Sequence, residues 1–305
     1  MKELYTEIQK LIINNYKGTL NDEILDLITV AVMALYIKNP KMTLEKLPKV
    51  LNKIDILAGD NKVSNYILEK YPNYPWDPTM DSESAMAVRA LNYEVKPIDE
   101  DWTMAISTTK INTDPATVIA KTIHELTHLL RFGGIEETKK EITVKDGVCT
   151  TRIDKRFGNS TKINYYFEEG IVEKYTKDTI ENFYTYLSSK EDLSFSKTLA
   201  SLKRKFNGKF KNSYLIEVSL LELLYTNEKM KELIENTFEQ EASRKLVNYY
   251  DSLSGTRGAF SLLSAGIDRI EALIDKGDIM NAIKFLDGLK LNVRKILVQS
   301  SKVKK

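Results

Sequence analysis

Histidine is nearly absent from this chain: two occur in 305 residues. Cysteine is scarcer still. With Cys149 alone, no intramolecular disulfide can form, and a structural zinc site built from cysteines is excluded. Neither sign of charge dominates: Lys and Arg number 45 against 43 Asp and Glu. That balance gives no reason to expect a nucleic acid or a membrane as partner. Long hydrophobic runs are missing too. The longest, "ILDLITVAVMALYI" from Ile24 to Ile37, is too short to span a bilayer and carries Asp26, so it reads as a buried core helix. The opening "MKELYTEIQKLIINNYKG" holds acidic residues early and lacks the apolar stretch of a secretory signal. Together these absences predict a cytoplasmic protein, and they leave its oligomeric state open.

What remains is the composition of a globular protein, 42% hydrophobic and 29% charged, long enough for one large domain or two ordinary ones. Neither an internal repeat nor a low-complexity tract is visible. The first sixty residues read as helices, with Asn21 or Asp22 capping one. Thr43 is a possible cap for the next, and Pro48 should interrupt or restart it. The turn-rich stretch Tyr71 to Pro97 then joins a helical unit (residues 1–70) to a core (71–190). In that core, "WTMAISTT" (Trp102 to Thr109) has strand composition. Asp114-Pro115 starts a helix with a capping carboxylate and a proline at its first position, and Gly133-Gly134 stops it. "EITVKDGVCTTRID" (Glu141 to Asp154) reads as a β-hairpin around Asp146-Gly147. "NSTKINYYFEEGIVEKYTKDTIENFYTYL" reads as one helix or two. Residues 191–305 are expected to be helical, with a glycine-containing break at Asp251 to Phe260 and a frayed "QSSKVKK" tail. The fold class predicted is α+β, mostly helical, with a small antiparallel sheet.

Both histidines lie in "TIHELTHLLRF", Thr122 to Phe132. His124 and His128 are at i and i+4 on the expected helix, about 40° apart around its axis and about 6 Å along it. Two imidazoles so placed can converge on one metal ion. Glu125 lies about 100° round from His124, beside the ion, where it can hold and deprotonate a water. The plainer alternative is two polar residues with satisfied hydrogen bonds. A catalytic zinc takes three protein ligands and an open position. No third histidine exists, so the third ligand should be a carboxylate. "YYFEEGIVEKY" supplies Glu169 and Glu173 on one helical face. Glu169 would ligate the ion, and Glu173 would accept a hydrogen bond from a ligating histidine. Glu168 is the reserve ligand. A solvated acidic helix face is the competing reading.

"HELTH" and "EGIVE" (Glu169 to Glu173) resemble the paired motifs of the gluzincin branch of zinc metallopeptidases. There a second helix bearing E-x-x-x-D/E follows H-E-x-x-H, its first acid a ligand and its last orienting a histidine. The resemblance covers about a fifth of the chain and reaches only the clan. Lys121 departs from it, where a small or β-branched residue is usual. The 40 residues between His128 and Glu169 exceed the gap in the best-known members, and the hairpin at 141–154 accounts for this as an insertion. The glycine-methionine-glutamate-asparagine motif of the large aminopeptidases is missing, and the three-histidine metzincin pattern is impossible.

The resemblance implies a zincin-like core, one catalytic Zn2+, and hydrolysis of a peptide or protein substrate with Glu125 as general base. It also implies a donor to the developing oxyanion from a later helical part. "NYYDSLSGTRG" offers Tyr249, Tyr250 and Arg257, with Tyr250 and Arg257 the preferred pair and Tyr165 and Tyr166 as rivals. The strand at Trp102 to Thr109 would either offer an edge to an extended peptide or lie mid-sheet. Two other classes compete: a binding or regulatory protein on a zincin scaffold with a structural or vestigial metal, and a helical interaction protein with incidental histidines.

Overall fold

The computed structural model describes residues 1–72, 83, 85–88, 102–157, 159–208, 210, 213–236, 238 and 240–302. In chain order its elements are α1 (Lys2–Asn15), α2 (Asp22–Lys38), α3 (Pro40–Leu51), β1 (Ile54–Gly59), α4 (Val63–Lys70), β2 (Ala85–Val88), β3 (Trp102–Ser107), α5 (Pro115–Arg131), β4 (Phe132–Glu137), β5 (Glu141–Asp146), β6 (Cys149–Asp154), β7 (Ser160–Ile163), α6 (Tyr165–Ser188), α7 (Lys197–Lys205), α8 (Leu215–Leu224), α9 (Glu228–Glu235), α10 (Gln240–Ser254), α11 (Ala259–Asp275) and α12 (Ile279–Lys302). The class is α+β and mostly helical. Contacts divide the chain into Met1–Leu130 with Tyr175–Lys211, and Arg131–Lys174 with Asn212–Lys305.

The first unit is built on α2. Asn21 caps it, its side-chain oxygen accepting from the Ile24 amide at 2.9 Å. Leu27 to Ala34 are buried without interruption, so neighbours must cover the helix on every side. Asp26 interrupts the apolar run without being stranded. It accepts from the Tyr5 hydroxyl at 2.7 Å, the Ser196 hydroxyl at 2.6 Å and the Thr198 amide at 3.0 Å. Those three bonds tie α1 and the start of α7 to α2 and satisfy the half-buried carboxylate.

Several expectations fail here. Asn39, not Thr43, caps α3, accepting from the Met42 amide at 3.2 Å. Pro48 sits inside α3 and does not interrupt it. It falls in the last turn, where the missing amide removes one bond from a helix about to end. "IDIL", read as helix, is part of β1. It alternates buried Ile54 and Ile56 with exposed Asp55, a period of two. The sheet that holds β3 is mixed: β3 lies mid-sheet, parallel to β1 and antiparallel to β2. Among the described residues, the two edges of this sheet are β1 and β2. Of the turn-rich stretch from Tyr71 to Pro97, Tyr71, Pro72, Glu83 and β2 are described; the rest lies outside the described residues.

In the second unit, the hairpin at 141–154 forms as read, with Asp146 opposite Cys149 and Gly147 at φ +57° in the turn. It is the centre of a four-stranded antiparallel sheet, order β4-β5-β6-β7. The sequence reading missed both outer strands. Gly133 and Gly134 end α5 by leading into β4, Gly134 at φ +110°. Residues 160–163, read as helix, form β7. Cys149 opens β6, buried, and that burial pushes its thiol up to about 12. Helices α8 to α12 enclose a core including Phe167, Leu221, Leu246, Tyr250, Phe260 and Ile267. The break at 251–260 is confirmed. Gly255 and Gly258 have positive φ, and Asp251 accepts from the amides of Gly258 and Phe260 to start α11. The tail expected to fray continues α12 to Lys302. Among the described residues, no helix is long and apolar enough to cross a membrane.

Candidate metal centre

Helix α5 begins where the sequence predicted. The Asp114 carboxylate accepts from the Thr117 amide at 3.2 Å and from its hydroxyl at 2.6 Å, with Pro115 first in the helix. Val118, Ile119, Ile123, Leu126 and Leu130 are buried. Their spacing orients the helix, and the orientation brings His124 inward at 4% exposure while His128 and Glu125 stay partly exposed. Lys121, the departure from the motif, pairs with Glu83 at 3.1 Å.

The two histidine Nε2 atoms are 3.1 Å apart. A tetrahedral zinc with bonds of about 2.0–2.1 Å to nitrogen holds two such atoms about 3.3 Å apart. The spacing of the pair therefore suits a shared ion. His124, His128 and Glu169 each offer one ligand atom, and these atoms lie within 4.8 Å of one another. Among the described residues this is the one group of three or more His, Cys, Asp or Glu with that convergence. Two imidazole nitrogens and a carboxylate oxygen form a donor set suited to zinc.

Glu125 does not point idly. Its carboxylate accepts from the Ala87 amide at 2.8 Å. Ala87 lies opposite Met104 in β2, and its amide is given to Glu125. Glu173, 1% exposed, accepts from the Ser213 amide.

Glu168, the reserve ligand, is committed elsewhere. It forms a two-pronged ion pair with Arg131, through Nε to Oε1 and through Nη2 to Oε2 at 2.8 Å. Its Oε2 also accepts from the Val148 amide at 2.9 Å. Both side chains of this pair are essentially without exposure. A carboxylate saturated by a guanidinium has no reason to leave it for a metal, so the reserve assignment is set aside.

Tyr250 is buried on α10 with its ring edge-on to Phe260 at 5.8 Å. Burial, helped by Asp251, pushes its hydroxyl up to about 12, so at neutral pH it is a phenol. It borders a cavity of about 310 Å3 shared with Ser254, Thr256 and Lys295. Arg257 is exposed in the turn before α11. Tyr165 and Tyr166 stack edge-on at 5.1 Å.

The sequence reading overlooked Glu217. It is one of two acids in the largely apolar α8, is 2% exposed, and packs on Gly170, the residue after Glu169. Burial pushes its carboxyl up to about 8, with Glu271 and Glu169 adding negative charge. One of its oxygens has no hydrogen-bond partner. The signal was legible: "LIEVSLLELL" puts Glu217 among apolar residues on every side.

No protein family, no curated protein and no solved structure matches the chain.

Proposed function

We propose that the chain is a zinc-dependent peptidase of the zincin type, acting on a peptide or protein substrate with Glu125 as general base. The observation that carries this reading is the convergence of both histidines of the chain with Glu169, beside a partly exposed glutamate on the same helix. When bound, zinc would supply Lewis acidity and draw the pKa of a water towards ~7. Glu125 would take the proton of the attacking water and pass it to the leaving amine. Its bond from Ala87 keeps the carboxylate aimed. That same bond sets the base beside β2, an edge strand among the described residues. An extended substrate can pair with such an edge through its backbone. Donors to the oxyanion are assigned to Tyr250, which its burial keeps protonated, and to Arg257.

The test is Glu125→Gln. Peptide hydrolysis should fall by about 10²–10⁴-fold, with zinc retained at one ion per chain. Hydrolysis unchanged in this variant would overturn the assignment. Zinc binding with no cleavage across a broad peptide library would favour a binding or regulatory protein instead.

A further inference from the structure

We infer that the buried Arg131–Glu168 pair is a positioning device for the metal centre, holding Glu169 and His128 at their coordinating geometry. The inference rests on the zinc reading above and goes beyond it. Arg131 ends α5 three residues after His128, and Glu168 immediately precedes Glu169 in the first turn of α6. Glu168 is thus one residue from a ligand, and Arg131 about one helical turn from the other. Consecutive helical residues differ by about 100° around the axis. Fixing the direction of Glu168 therefore fixes the direction of Glu169.

The fixing is thorough. The guanidinium engages both oxygens of Glu168, a planar fork that tolerates one orientation. The Val148 amide takes a further site on Oε2, and the Arg131 carbonyl accepts from the Gly147 amide at 3.1 Å. Phe238 lies 5.2 Å from the guanidinium carbon, on the ring face. Asn164, at φ +62°, bonds the Val148 carbonyl through its side chain and accepts from the Glu168 amide at its own carbonyl. One ion pair thus joins the end of α5, the β5–β6 turn and the start of α6. Gly147 is required there, because a Cβ would strike Glu168 and Arg131.

Stability alone does not account for this arrangement. Taking both charges out of water is costly, and an apolar pair of similar volume usually does as well or better. What an apolar pair lacks is direction. Partners that orient metal ligands typically contribute 10–100-fold in metal affinity.

The test compares wild type with Glu168→Gln, which keeps the shape and loses the charge. A second variant, Arg131→Met with Glu168→Met, leaves no unpaired charge and so guards against simple misfolding. Zn2+ affinity is read by competition with a chromophoric chelator. The visible spectrum of Co2+ in place of zinc reports ligand geometry, and circular dichroism with thermal unfolding of the metal-free protein reports the fold. Both variants should fold, bind Zn2+ about 10–100-fold more weakly and show a changed Co2+ spectrum. Restoring Glu168 alone to the double variant should not recover the spectrum. Folded variants with Zn2+ affinity within two-fold of wild type and an unchanged Co2+ spectrum would overturn the inference and leave the zinc reading standing. A wild-type protein that binds neither ion overturns both.

Discussion

Gly170 and Glu217 meet so closely that neither helix leaves room for a side chain on the glycine. A Cβ at position 170 would collide with the Glu217 Cβ and lie 3.3 Å from its carbonyl carbon. Backbone cannot swing aside as a long side chain can. Gly170→Ala should therefore destabilise the protein by about 1–3 kcal/mol through overpacking, despite the better helix propensity of alanine. Gly288 is the internal control. It is also mid-helix, with nothing within 4 Å of a Cβ. There the alanine variant should stabilise by about 0.5–1 kcal/mol. Denaturant titrations of the two variants check both signs.

The same contact encloses Glu217, whose carboxyl is raised to about 8 from an ordinary 4.5, first by burial. A carboxyl raised on folding holds its proton in the native state after the unfolded chain has lost it. Its stability contribution is complete below about pH 4.5 and declines as the pH rises through about 8. Metal-free protein should lose up to about 5 kcal/mol across that interval from this group. Glu217→Gln should flatten the slope and be the more stable protein at pH 9. Chemical unfolding at a series of pH values decides it; an equal slope in the variant would count against the assignment.

Metal removal gives a third expectation. A ligand that binds only the folded chain stabilises it, by about 2.7 kcal/mol at a hundredfold excess over its Kd. Zinc should raise the unfolding temperature of wild type and a chelator should lower it. Glu169→Ala should abolish most of that difference, and Glu168→Ala, which removes a positioning partner and not a ligand, should reduce it by less. Calorimetry with and without zinc separates the two acids.

At the start of α5 the Asp114 carboxylate carries two bonds from Thr117. Asp114→Ala should cost about 1 kcal/mol, within the 0.5–2 range for lost caps. Its effect on metal affinity should be small, since about four turns of helix separate the cap from His128. A shift in unfolding midpoint without a shift in zinc affinity is the expected pair of results.

Much of this was legible in the amino acids because it is local. The Asp114-Pro115 start, the Asp146-Gly147 turn and the i, i+4 spacing of His124 and His128 each need only a few neighbouring residues to be recognised. Glu169 was inferred because the absence of further histidine left carboxylates as the remaining choice. What escaped was set by distant partners. Strand β1 was taken as the end of a helix because Ile54 and Ile56 acquire their strand character from pairing with β3. Whether Trp102 to Thr109 lies at an edge or mid-sheet stays open from the residues alone, since order within a sheet is not written in any single strand. The commitment of Glu168 to Arg131 spans 37 positions. Nothing in "FEEG" distinguishes the acid that pairs with Arg131 from the acid that converges with the histidines.

Cys149 gives the chain a built-in reporter. It is the only thiol, it is 5% exposed, and burial holds its proton on. Thiolate is the form that reacts, so a disulfide reagent can modify native protein only through openings that free β6. Labelling kinetics at that one atom would time the opening of the hairpin that carries Gly147 and Val148, with no engineered probe. Zinc should slow that clock if the turn and the ligands are held by the same guanidinium.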